Sequence, residues 1–222
     1  MSDAPAAFYF DLASPLAYLA AEQALHAFAG AAAVEWQPVL AARLPAAESF
    51  EAFRCEAERD AFREDVALRA GELGLQPLRW PEPFPFDSGL AMRVATYAKS
   101  IGRTVPFAQA AFRQAFAGGR SLADRDSVLI AAAACEMHPA AVIRGAELRS
   151  VSEQLAAATE TAAARGVGDV PAVWVQGTVF HGERALADAA RALRELPPAA
   201  AGRPPGGIRV ERCEPGPDGS AG

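Results

Sequence analysis

Little in this chain invites redox or metal chemistry of its own. Its 222 residues include three cysteines, Cys55, Cys135 and Cys213, and three histidines, His26, His138 and His181. They are scattered, with no C-x-x-C pair and no spacing that gathers metal ligands. We expect neither structural disulfides nor a metal site. Basic runs are also missing: 21 Lys and Arg stand against 27 Asp and Glu, a net charge of −6, which argues against a nucleic-acid partner. No stretch approaches the roughly 18 uninterrupted apolar residues of a membrane span, and the N-terminus lacks a basic region followed by an apolar one. The expectation is a cytoplasmic protein with no membrane partner.

What is present reads as an ordinary globular α/β chain, 51% hydrophobic and 22% charged. That length allows one large domain, or one domain carrying a sizeable insertion. A strand near Ala6–Leu12 leads into a helix from Pro15 to about Phe28, then a second strand over Ala32–Leu40, which Pro38 confines to its end or an edge. A β-α-β crossover of this length makes the two strands parallel. Apolar residues recur every three or four positions from Ala46 to Ala70, which predicts a helix ending near Gly71. Pro77, Pro81, Pro83 and Pro85 mark a stiff loop from Leu75 to Asp87. Helices follow over Ser88–Ser100, Pro106–Phe116, Arg125–Cys135, Pro139–Arg144 and Arg149–Arg165. The segment Val167–Gly182 then reads as a Val-Pro step, a strand, a tight turn at Gln176-Gly177 and a second strand, before a last helix over Arg184–Leu196. From Pro197 the chain is rich in Ala, Gly and Pro, and a disordered tail is expected.

The joint Phe8-Tyr9-Phe10-Asp11-Leu12-Ala13-Ser14-Pro15 carries the most chemistry. Ser suits a helix cap and Pro the first helical position, where its missing N–H costs nothing. The Ser14 hydroxyl is thereby placed at the positive end of a helix, beyond the carboxyl end of a strand, where α/β sheets commonly take ligands. The plain alternative is a cap with no chemistry attached. The second motif, Arg165-Gly166-Val167-Gly168-Asp169-Val170-Pro171, continues through Ala172–Val175 to Phe180-His181-Gly182.

Together these segments resemble the DsbA-type thioredoxin-fold family. Within it they look most like 2-hydroxychromene-2-carboxylate isomerases and kappa-class glutathione transferases, over roughly residues 6 to 196. The resemblance implies a thioredoxin-like α/β fold with an all-helical insertion. Residues 1–44 and 145–196 would form the thioredoxin-like part, 45–144 the insertion and 197–222 the tail.

Oxidoreductases of this fold carry C-x-x-C at the start of the first helix, one thiolate attacking and the other resolving. Here the four positions are Ser14-Pro15-Leu16-Ala17, so disulfide exchange by thiols of that site is chemically impossible. A hydroxyl at a helix start can instead hold a thiolate that arrives from outside. A hydrogen bond to a charged acceptor contributes about 1.5–3 kcal/mol and the helix terminus roughly 0.3–1 kcal/mol. At about 1.36 kcal/mol per pKa unit, these lower a bound thiol by about one to three units from its usual value near 8.5.

The remaining site residues come from the resemblance. It implies glutathione, or another low-molecular-weight thiol, as cofactor, an aromatic hydroxy-keto acid as substrate and a homodimer as the assembly. Ser14 would be catalytic. Val170 would meet the thiol peptide's backbone, and Val170-Pro171 would be a cis bond. Arg43 is the nearest match to a basic residue that contacts the cofactor's glycyl carboxylate; a solvated surface Arg is the other reading. Asp87, with Ser88, stands where relatives carry Asn-Ser lining the site, and is equally a good helix cap. Where relatives place an Asp for the γ-glutamyl amino group stands Arg184, preceded by Glu183. With Arg184 in that place an arriving ammonium meets a like charge; otherwise Glu183 takes over. Trp36, Trp80 and Trp174, and the arginines 93, 103 and 113, read more readily as core and solvated surface than as substrate contacts. Two further readings stay open: a kappa-like transferase or peroxidase using the same thiolate, and a non-catalytic binding protein of this fold.

Overall fold

A computed structural model describes residues 5–31, 33–46, 53 and 55–196. The first strand, β1 (Ala6–Phe10), is buried along its whole length, as an unbroken apolar run requires when both sheet faces are covered. Phe8 and Phe10 point to one face, where Trp36 packs edge-on against Phe8 at 4.9 Å between ring centroids. Ala7 and Tyr9 point to the other, among Val39, Ala162 and Val167.

Helix α1 (Pro15–Ala27) follows, and β2 (Val34–Pro38) returns parallel to β1 with Trp36 opposite Phe8. Pro38 closes the strand as expected. Strand β3 (Ala172–Val175) lies antiparallel on the other side of β1. It turns through Gln176 and Gly177, both at positive φ, into β4 (Thr178–His181). The sheet order is β2-β1-β3-β4.

Between β2 and β3, after a single 3-10 turn at Ala41–Arg43, lie α2 (Glu56–Glu72), α3 (Gly89–Ser100), α4 (Thr104–Phe116), α5 (Arg125–Ala133), α6 (Pro139–Glu147) and α7 (Arg149–Ala164). Helix α8 (Ala185–Glu195) packs on β3 and α1. Pro106 sits in the first turn of α4 rather than at its first residue, so the helix starts two residues before the expected boundary. First-turn N–H groups have no intrahelical partner, and Pro is tolerated throughout that turn. Helix α6 runs on past Arg144 because Gly145 lets it press against Tyr97 of α3; a Cβ there would lie 2.4 Å from the ring. The helix expected from Ala46 begins only at Glu56; residues 47–52 and 54, like the tail from 197, lie outside the described residues. Phe107, Phe112 and Phe116 of α4 are fully buried, and Phe112 reaches Phe10 of the sheet at 5.9 Å. Among the described residues no helix is long and apolar enough to cross a membrane. This is a thioredoxin-like α/β arrangement interrupted by helices.

Candidate thiol site at the start of the first helix

Ser14 caps α1: its Oγ accepts a hydrogen bond from the Ala17 N–H at 3.1 Å, with Pro15 at the first helical position. The same hydroxyl reaches the Val170 carbonyl at 3.5 Å, across 156 positions of chain. The sheet register explains the meeting. Tyr9 of β1 is opposite Ala172 of β3, so continuing the antiparallel pairing by two residues brings Val170 level with Asp11, directly before the joint. The Val170–Pro171 bond is cis. At 3.5 Å the hydroxyl is only weakly bonded, and its proton transfers to a better acceptor at little cost.

Asp11 builds the joint from beneath. It is 1% exposed, and its two carboxylate oxygens accept from the Ala13 N–H and the Ala41 N–H, both at 2.9 Å. The Ser88 hydroxyl donates to it as well. One side chain thus ties together the turn before α1, the turn after β2 and the start of α3. Burial pushes the Asp11 carboxyl above its ordinary value; the three hydrogen bonds oppose that and Asp87 adds to it.

Beside this joint opens a cavity of about 800 Å³, walled by Leu16, Leu19 and Gln23 of α1, Arg69 and Glu72 of α2, the loop Gly168–Pro171, His181 and Glu183. Ser14 stands at its edge, 3% exposed, flanked by the lining residues Leu16 and Val170. Arg69 holds Glu183 at 2.7 Å and Asp65 at 3.0 Å, joining the inserted helix to the turn before α8 beside the cavity.

Ser14 meets Val170, and Val170, Pro171 and the 71%-exposed Glu183 line the one cavity; three other expected residues do not line it. Arg43 sits on the 3-10 turn with its side chain exposed. Ala41 is the residue of that turn that faces inward, where Asp11 holds its N–H. Asp87 is exposed and spends its carboxylate on the Gly89 N–H at 2.8 Å, a cap for α3. Arg184 points along α8 to Asp188 at 3.7 Å, is 81% exposed and is not among the residues lining the cavity. Arg103 and Arg113 are paired with Glu136 and Glu22 instead of gathering round a ligand. Neither Cys55 nor Cys135 lines the cavity, and burial raises the Cys135 thiol above its ordinary value. Among the described residues no group of His, Cys, Asp or Glu could hold a metal.

A model of the DsbA-like thioredoxin domain matches residues 7–194. The chain belongs to that family. Among solved structures, a 2-hydroxychromene-2-carboxylate isomerase superposes with a TM-score of 0.73 at 17% identity, covering 85% of this chain and 94% of that one. A probable DsbA oxidoreductase from Streptomyces coelicolor gives 0.72 at 18% identity, with 95% and 96% covered. The cytosolic disulfide reductase DsbM from Pseudomonas aeruginosa, solved with GSH, gives 0.60 at 12%, with 86% and 96% covered. No curated protein sequence matches the chain. At these identities the structural likenesses establish the fold.

Sequence reasoning missed Arg69 and the organising role of Asp11. Arg69 lies in a helix of alternating charge, with no signal to set it apart. Asp11 was visible in the strand-to-helix motif, but its partners Ala41 and Ser88 are distant in sequence.

Proposed function

We propose that this member of the DsbA-like family is a thiol-dependent isomerase of the 2-hydroxychromene-2-carboxylate isomerase type, acting on an aromatic hydroxy-keto acid. One observation carries the reading: a weakly engaged hydroxyl, Ser14, caps a helix where redox relatives need a thiol, beside a cavity of about 800 Å³. Glutathione is the thiol to test first, since the DsbM neighbour was solved with GSH.

The cavity suits a small peptide thiol, with apolar walls from Leu16, Leu19 and Pro171 and opposite charges on Arg69 and Glu183. Glu183 accepts the ammonium group, the task that relatives give to an Asp at the position of Arg184, and Arg69 is beside it for a carboxylate. When bound, the thiolate supplies a nucleophile that adds reversibly to the conjugated acid and leaves after rotation about the bond made single. Ser14 donates a hydrogen bond to the thiolate sulfur before addition and after elimination, and the N-terminal end of α1 favours the negative charge. Asp11 keeps the joint rigid while this happens.

The test is isomerisation of a hydroxybenzylidene-pyruvate substrate with and without glutathione. We expect turnover that requires the thiol and leaves it unconsumed. Stoichiometric loss of thiol assigns a kappa-like transferase instead, and absence of both turnover and thiol binding makes the chain a binding protein.

A further inference from the structure

A second cavity, about 310 Å³, opens beside the start of α2, lined by Phe53, Cys55, Glu56, Arg59, Phe84 and Pro85. It is at the lower end of the range for small-molecule sites. Its aromatic wall is part of a continuous ring cluster. Phe84 meets Phe53 at 6.4 Å and Trp80 at 4.9 Å, and both Trp80 and Phe84 touch Phe116. Phe116 stacks on Tyr18 at 5.7 Å, and Tyr18 lies one turn after Ser14 on the same face of α1. The larger cavity meets α1 through Leu16, Leu19 and Gln23.

Two arginines lie beside this wall, four residues apart on α2. Arg63 is used structurally: it lies over the Trp80 and Phe84 rings at 5.2 and 6.0 Å and pairs with Glu82 at 3.4 Å. Arg59 is held more loosely. Among the described residues its carboxylate neighbours, Glu56 and Asp60, are at 3.8 and 3.7 Å, too long for hydrogen bonds. Its Nε is buried with no hydrogen-bond partner among the described residues, as is that of Arg63. A buried donor without an acceptor costs free energy that an arriving oxygen recovers. An aromatic wall with a cation at its edge fits a flat ring bearing an anionic group.

We infer that this cavity is a subsite for a small aromatic carboxylate, its ring against Phe84 and its carboxylate on Arg59. The binding does not depend on the function proposed above.

The experiment is calorimetric titration of the full chain, without any thiol, with trans-cinnamate and with its neutral analogue cinnamamide. Saturable cinnamate binding is expected, with cinnamamide much weaker. Arg59→Gln should weaken cinnamate about tenfold, the equivalent of one charge-assisted hydrogen bond at a partly exposed site. Glu56→Gln should tighten it by removing the like charge in the lining, and Arg69→Gln in the larger cavity should leave it unchanged. No saturable binding, equal binding of the amide, or weakening by Arg69→Gln with none by Arg59→Gln overturns the inference. Cinnamate binding that follows the Arg59 pattern in a protein that binds no thiol retains the subsite and removes the thiol reading.

Discussion

The Ser14 hydroxyl lies 3.5 Å from the Val170 carbonyl, 156 residues later in the chain. It is held there by the Ala17 N–H at 3.1 Å. Ser14→Ala removes a helix cap and should cost about 0.5–2 kcal/mol of stability, leaving the fold intact. It also removes the donor to the thiolate, so the bound thiol's pKa should rise by about one to two units. Ultraviolet titration of bound glutathione reads this directly. Full turnover at neutral pH in the variant reduces Ser14 to a cap.

Adjacent residues Glu183 and Arg184 diverge, one toward Arg69 and the cavity, the other toward Asp188. Glu183→Gln should weaken glutathione a few-fold, since exposed ion pairs contribute roughly 0.2–1 kcal/mol. Arg184→Asp should change nothing. Calorimetric titration decides; tighter binding in Arg184→Asp would return Arg184 to the site.

Asp11 gives a pH signature. Its carboxyl is raised in the folded chain, chiefly by burial, so the folded state holds the proton more tightly than the unfolded state. The stability linked to that proton is fully present below the ordinary carboxyl value and is lost as pH rises through the folded value. In Asp11→Asn this dependence disappears, so the wild type's advantage over the variant should shrink with rising pH and then level off. At neutral pH the variant should still be less stable by about 1–3 kcal/mol, because its amide faces a backbone N–H. Urea unfolding at a series of pH values checks the sign; an advantage that grows with pH refutes it.

Gly145 of α6 meets Tyr97 of α3 with no room for a methyl group. Gly145→Ala should destabilise by about 1–3 kcal/mol through overpacking. Pairing it with Tyr97→Leu should recover part of the loss in a double-mutant cycle. Additive losses would mean the two helices adjust independently.

Without a thiol at position 14, 15, 16 or 17, the chain should not reduce insulin or oxidise dithiols. Activity that vanishes with Cys55→Ser or Cys135→Ser would reveal a redox site elsewhere.

The strand-to-helix joint, its cap and its missing sulfurs are properties of neighbouring residues, so periodicity and spacing specify them. The parallel β1–β2 pair and the β3–β4 hairpin were legible for the same reason, since crossover length and turn chemistry are local. Which groups gather round the site is not local. The Val170 carbonyl reaches Ser14 through the β1–β3 register, and Arg69 of an inserted helix lines the cavity beside it. Glu183 and Arg184 show the limit most sharply. They share one turn and one neighbourhood in sequence and both are exposed, but at the start of α8 one pairs with Arg69 beside the cavity and the other with Asp188 along the helix. Arg43, the nearest match to the relatives' basic residue, and Asp87, standing where relatives carry Asn, both face solvent. The direction of a side chain in a turn depends on backbone angles fixed by distant packing, and only the tertiary structure supplies those.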